Sequence, residues 1–406
     1  MDFLRSISSR KLHYLGKPDL LLAKDRALLE TWHAQTVFTA PSFKIAEELS
    51  RKRREDKDIL YIVSTGKEGI HWSNVLSAYG MNYGVDFLDL TCLKHCLSQG
   101  ANQDKLLVAY GNCQMHDYYD CLNRCPNFVD HYDSVYFKYK EYPRWQENQV
   151  EALLQVADVF IYTKENFDRK YRDLEKYVSS VNPNCVVIAI PCYSFRGIFP
   201  QTNPHVQEQV KFDIVQDIFN TFHREDLIFN ALIEQGATVD NVLAKYRSAD
   251  TFTTEEIQKL FNVSIKQLAM MDRVSAVKIH DYISDNIHKR RLFKDPVHME
   301  DELVWFITRQ LLTQLGCSGP KENIGGTIHY FSEIPIYPEV AEALDLKWWG
   351  PDSKCELRLA EGMLLVSPEE FIRRYYQFSH NAWQIKESLH ILESDKENIL
   401  ELFTLH

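Results

Sequence analysis

The chain has 406 residues, 45% of them hydrophobic and 25% charged. That balance supplies at least one large core over about two or three domains, and it excludes a disordered, collagen-like or fibrous chain. A net charge of −11 offers no global attraction to nucleic acid, whose binding draws on Lys and Arg against phosphate, so no nucleic-acid partner is expected.

Residues 1–55 read as mainly helical and polar, with breaks at Pro18 and Pro41. The basic run Arg51-Lys52-Arg53-Arg54 within them reads as solvated helix surface. A β-rich apolar run over 58–63 follows, then a turn over Ser64-Thr65-Gly66-Lys67-Glu68-Gly69. Helical spacing over 70–79 stops at Gly80, and a short strand is expected over 87–90. The pattern repeats at 105–110, where an apolar strand runs into Gly111-Asn112-Cys113-Gln114 and a helix reaching Leu122. Further strands are expected over 156–162 and 185–190, the last ended by Pro191, with a helix over 167–178 between them. Strands alternating with helices predict an α/β fold with a mostly parallel sheet flanked by helices, of SGNH or flavodoxin-like type. Ligands of such sheets lie beyond the carboxyl ends of the strands.

From 207 to 316 the chain reads as helical, with helices over 213–222, 226–235, 239–246, 254–260, 264–288 and 300–315. Residues 317–406 are mixed: an irregular stretch at Gly325-Gly326, helices near 338–344 and 368–378, and a helical tail suited either to packing on the domain or to homo-oligomer assembly. The expected domains are an N-terminal α/β region (1–100), a catalytic domain (101–320) and a mixed extension (321–406).

Nine cysteines, an odd number with no CxxC pair, suggest neither a secreted disulfide framework nor structural zinc, and no metal is expected. Leu20-Leu21-Leu22-Ala23 is far too short for a signal peptide or a transmembrane segment, and the cytoplasm is the simplest location.

Three segments carry the chemistry. A strand-to-helix turn at Gly111-Asn112-Cys113-Gln114 projects Cys113 above the sheet edge. The first-turn N–H groups of a helix there suit an oxyanion, and its positive end favours a thiolate. Cys113 as a small buried hydrophobe and Asn112 as an N-cap fit the same four residues equally well. In Arg291-Leu-Phe-Lys-Asp295-Pro-Val-His298-Met-Glu300, a DxxH pair makes His298 the best general-base candidate with Asp295 as its orienting carboxylate. Asp295-Pro296 also reads as a helix N-cap followed by proline at the first helical position. The loop from Ile190 to Pro200 brings Arg196, suited to a phosphate or a sugar, although a plain connecting loop explains it too. The Gly66–Gly69 turn fits a phosphate or nucleotide-sugar contact, and equally a structural turn; it lacks P-loop spacing.

Together, Val108-Ala-Tyr-Gly-Asn-Cys-Gln114, Ile190-Pro-Cys-Tyr-Ser-Phe-Arg-Gly197 with Pro200, and Arg291-Leu-Phe293 with His298 resemble the WcbI family of capsular and exopolysaccharide biosynthesis proteins, over about 105–315. The resemblance implies a coenzyme A-binding acetyltransferase acting on a polysaccharide sugar, with acetyl-CoA as cosubstrate and a sugar or polysaccharide precursor as acceptor. It is also similar to the SGNH hydrolases, which places Cys113 at the nucleophile position, His298 at the histidine and Asp295 at the aspartate. Gly111, Asn112 and Gln114 then serve the oxyanion or substrate, Asn166 stands loosely for the family's asparagine block, and Arg196, Lys289, Arg290 and Arg291 face the CoA phosphates. Val297-His298-Met299 departs from the family's Asn-His-Pro. An SGNH-like carbohydrate esterase or deacetylase, and a non-catalytic sugar- or nucleotide-binding protein, are the alternatives.

Overall fold

The computed structural model describes residues 10–15, 23–31, 33–37, 43–63, 66–83, 85–97, 104–138, 144–164, 172–202, 226–325, 331–359 and 362–392. The expected helix over 213–222 lies outside them, as do Asn166 and Gly326. The chain forms two units, residues 1–192 with 312–324 and residues 193–311 with 325–406.

The first unit opens with β1 (Lys11–Leu15), α1 (Ala23–Thr31), β2 (Gln35–Val37), α2 (Phe43–Glu55), β3 (Ile59–Val63), α3 (Gly66–Ala78), β4 (Phe87–Asp89) and α4 (Leu90–Leu97). It continues with β5 (Lys105–Gly111), α5 (Cys113–Asn123), α6 (Pro126–Val129), β6 (Tyr132–Lys138), α7 (Arg144–Leu154), β7 (Val159–Lys164), α8 (Arg172–Ser180) and β8 (Val186–Pro191). β1–β4 form one parallel sheet in the order β2-β1-β3-β4, and β5–β8 a second in the order β6-β5-β7-β8. The two sheets thus share one topology, second-first-third-fourth, although no repeat is visible in the sequence. A parallel strand covered on both faces needs only a continuous apolar run, which many sequences satisfy; β3, Ile-Leu-Tyr-Ile-Val, is buried along its whole length. Residues of both sheets, from Tyr14, Ile62 and Phe87 to Val108 and Phe160, belong to one core.

This unit corrects several expectations. The described part of residues 1–55 is mainly helical, as expected, but β1 and β2 also lie within it; Leu12 and Tyr14 alternate with polar residues and are buried, a strand signal that the polar average hid. Gly66 to Gly69 begin α3 instead of forming a turn. β6 was not expected at all.

The second unit holds α9 (Leu227–Glu234), α10 (Val239–Ser248), α11 (Thr254–Val274), α12 (His280–Asn286), α13 (Asp301–Gln314, within whose last turn the division falls), α14 (Pro338–Ala343), the antiparallel hairpin of β9 (Cys355–Leu359) and β10 (Gly362–Val366), and α15 (Pro368–Leu392). The expected break between 260 and 264 is absent: Phe261-Asn262-Val263 contains no helix breaker, and a Thr253–Glu256 capping box starts a helix that runs through it. The break falls at Ser275, in extended conformation, whose hydroxyl pairs with the Tyr193 hydroxyl at 2.9 Å and accepts from Val277 N at 3.0 Å. No helix begins at Asp295-Pro296; α13 starts at Asp301. The hairpin β9–β10 was also unforeseen.

A buried carboxyl sits at the start of α9. Asp226 caps the helix through Ile228 N and Phe229 N, both at 3.0 Å, and accepts from the Tyr337 hydroxyl. Burial nonetheless pushes its pKa up to about 7, against the pull of those hydrogen bonds. A raised folded pKa means that the native state holds a proton the unfolded chain has released. Stability should therefore fall as pH rises from about 4 to about 7, by about 1.4 kcal/mol per pH unit from this group. Asp226→Asn keeps a capping oxygen and should flatten this slope; thermal melts at pH 5, 6 and 7 with parallel curves for both proteins would refute it.

Candidate functional site

Two clusters emerge, one in each unit. In the first, β5 is the strand at which the sheet order reverses, since β6 lies on one side of it and β7 on the other. The carboxyl end of such a strand is where open α/β sheets bind ligands, and Gly111 is its last residue. A Cβ at Gly111 would lie 2.5 Å from Met115 Cβ and collide with Thr163 Oγ1, so the turn closes only around glycine. Gly111→Ala should cost about 1–3 kcal/mol by overpacking; an unchanged urea midpoint would contradict this.

Asn112 caps α5, and its Oδ1 accepts from Gln114 N at 3.1 Å and Met115 N at 3.4 Å. Two of the first-turn donors expected for an oxyanion are thus engaged by the asparagine itself. Its Nδ2 donates to Cys192 Sγ at 3.0 Å. The Tyr136 hydroxyl, from β6, donates to the carbonyls of Asn112 (2.9 Å) and Gly111 (3.2 Å). Cys113 is half-buried at the helix start, Gln114 is buried, and the first turn of α5 carries no carboxylate to offset its positive end. The eight cysteines whose side chains are described form no disulfide among themselves.

In the second unit, the chain from Leu292 to Glu300 folds back on itself through a Phe293–Met299 bridge and a Glu300 N to Leu292 O bond of 2.9 Å. Asp295 is fully buried and His298 nearly so. Asp295 Oδ1 accepts from Val297 N (2.7 Å) and His298 N (3.0 Å), and Oδ2 lies 2.5 Å from His298 Nδ1. Asp295 therefore caps the tight turn of its own loop instead of a helix, and at the same time orients the imidazole. A carboxylate against Nδ1 assigns the ring proton to Nδ1 and makes Nε2 the basic nitrogen. The ring stacks on Phe331 at 3.7 Å.

Lys294 anchors this loop. Its side chain is 2% exposed and pairs with Glu356 at 2.6 Å and Glu300 at 3.9 Å. Phe195 N donates to Pro296 O at 2.7 Å, and the Phe195 ring stacks on Phe293. Gly197 is held by Phe195 and Phe261, where a Cβ would meet Phe195 Cζ at 2.7 Å.

The four expected cations differ in availability. Arg291 is built into the fold, donating to Ile334 O at 3.3 Å, paired with Glu333 at 3.7 Å and lying 5.1 Å from the rings of Trp348 and Trp349. Arg290 is exposed and paired with Glu302 at 2.6 Å; Lys289 is exposed. Arg196 is half-buried, donates to Thr202 O at 2.6 Å, and keeps a buried Nε with no hydrogen-bond partner among the described residues; burial lowers its pKa. It is the cation best suited to accept an anion.

Tyr136 escaped the sequence reading, although the β-rich Val135-Tyr136-Phe137 was an available signal. Cys192 stood within the Ile190–Gly197 motif, but nothing local pointed to its contact with Asn112. Among the described residues no group of three or more His, Cys, Asp and Glu could hold a metal, and no helix is long and apolar enough to cross a membrane.

The family model described as polysaccharide biosynthesis enzyme WcbI matches residues 106–320. A solved structure of WcbI, a novel polysaccharide biosynthesis enzyme, described as the native protein without a disulfide bond between coenzyme A and one of its cysteines, is similar in fold. The TM-score is 0.53 at 15% identity, covering 68% of this chain and 95% of that one. No curated protein matches the sequence.

Proposed function

The chain belongs to the WcbI family of polysaccharide biosynthesis enzymes, and from that premise we propose that it transfers an acetyl group from acetyl-CoA to a sugar hydroxyl. The observation that carries the proposal is the buried Asp295–His298 pair at 2.5 Å. A hydroxyl nucleophile needs a base, and a carboxylate-oriented imidazole supplies one through Nε2.

The glycine-closed turn at the switch point of the second sheet supports the donor half of the reaction. A cysteine of the similar WcbI structure is named together with coenzyme A, and Cys113 is the cysteine at this chain's turn. In this reading the Cys113 thiolate takes the acetyl group and His298 activates the acceptor hydroxyl. Arg196, Lys289 and Arg290 offer charge to the CoA phosphates, and Gln114, buried beside Cys113 in sequence, belongs to the same turn. The sugar acceptor and a cytoplasmic location follow from the same proposal.

Incubation with acetyl-CoA followed by peptide mass analysis tests it. An acetyl increment on the peptide carrying Cys113, lost on addition of acceptor, is the expected result. A Cys113→Ala protein with full transferase activity would remove the covalent route, and acetate release from acetylated glycans without any CoA requirement would replace transfer by esterase chemistry.

A further inference from the structure

We infer that His116 is the proton acceptor for the Cys113 thiol, held in place by the buried Asp117 carboxylate and the Tyr136 ring. The inference rests on the acyl-transfer reading of Cys113 and adds a base to it within the first unit. His298 is left to the acceptor hydroxyl.

The arrangement follows from one turn of helix. Cys113 and His116 stand three residues apart at the start of α5, so they neighbour each other on one face. The His116 ring meets the Tyr136 ring edge to face at 5.4 Å, and the hydroxyl of that same tyrosine bonds the carbonyls of Gly111 and Asn112, the two residues immediately before Cys113. Burial pushes the Tyr136 phenol above its ordinary range, and the charges of Cys113 and Asp117 push it further. Both groups therefore lie within electrostatic reach of the phenol, which stays neutral.

Asp117 is 4% exposed. Its Oδ1 lies 3.9 Å from His116 Nδ1, while the His116 side chain is 61% exposed. An exposed imidazole backed by a buried carboxylate is the arrangement that activates a nucleophile. Pairing with Asp117 raises the His116 pKa, with Asp120 adding to it and burial and Lys138 of β6 opposing it. An imidazolium so favoured stabilises a neighbouring thiolate.

The step balances. The Cys113 S–H bond breaks and the proton passes to His116 Nε2. The thiolate attacks the carbonyl carbon of acetyl-CoA, and the bond from that carbon to the CoA sulfur breaks. The CoA thiolate takes the proton from the imidazolium, leaving acetyl-Cys113, neutral His116 and CoA thiol.

The test is the rate of iodoacetamide alkylation at Cys113, read by peptide mass on the full chain from pH 5 to pH 10. His116→Gln should move the midpoint of the rate profile upward by about one pH unit, so that alkylation at pH 7 falls roughly tenfold. Asp117→Asn should move it in the same direction by less. A His116→Gln profile superimposed on that of the parent protein overturns the inference. Should the buried Asp117→Asn site not tolerate the change, the exposed His116→Gln carries the test alone. Because the probe contains no coenzyme A, a shifted profile with no acetyl-Cys113 would refute acyl transfer while leaving the His116–Cys113 pair standing.

Discussion

His298→Asn is expected to lower the transferase rate by roughly 10²–10⁴-fold, the range for loss of a general base. The asparagine Nδ2 stands about where the imidazole Nδ1 stood, so Asp295 keeps a donor and the loop keeps its shape. Only the basic Nε2 is lost. Asp295→Asn tests the other half of the pair. Its Oδ1 still accepts from Val297 N and His298 N, but its amide donates where a carboxylate accepted, and the ring proton is driven to Nε2, the wrong tautomer. A drop of similar size is expected with little change in thermal stability. Steady-state kinetics on both variants, with circular dichroism melts beside them, decide the matter. Retention of more than about a tenth of the parental rate in His298→Asn would reassign the base.

Lys294→Met should be the most destabilising single change, at about 3–5 kcal/mol, because it removes the cation from a buried cluster and leaves its carboxylates behind. Lys294 faces Glu356 and Glu300, and Glu333 sits on the same strand-edge network through its bond to Glu356 N at 3.0 Å. Burial raises the Glu300 pKa, and Glu333 raises it further against the pull of Lys294 and Arg291. A raised acid contributes stability that is lost as pH rises through its folded pKa. Without Lys294 that pKa rises again, so the loss should be larger at pH 9 than at pH 6. Urea midpoints at both values measure it; equal losses would mean that the cluster is not coupled as drawn. The main chain of Lys294 also holds the Asp295–His298 loop, through Lys294 N to His298 O (2.8 Å) and Ile334 N to Lys294 O (2.9 Å). These bonds survive in Lys294→Met, but the side-chain anchor to Glu356 and Glu300 is lost, so activity should fall with stability.

Much of this protein was determined locally. The β5 turn was legible because a strand of apolar residues, a glycine and an N-capping asparagine are each short-range signals, and α5 follows at once. Asp295 and His298 met because three residues of a tight loop suffice to join them. The alternation of strands and helices fixed the α/β class in the same way. The family resemblance, carried by three separated motifs, survives as membership over 106–320.

What the sequence left open depended on contacts between distant residues. β6 joined the sheet because β5 offers it a register from Lys105–Tyr132 to Gly111–Lys138, and only that pairing carries Tyr136 to the carbonyls beside Cys113. Asp295-Pro296 had the residues of a helix start, but Phe293 paired across to Met299 and claimed the chain for a turn. Arg291 looked like a phosphate ligand until Glu333, Trp348 and Trp349 enclosed it. Local propensities are worth tenths of a kcal/mol to about one per residue, whereas burying a ring or pairing a charge contributes comparable or larger amounts through partners many residues away. Where the two disagree, tertiary packing decides.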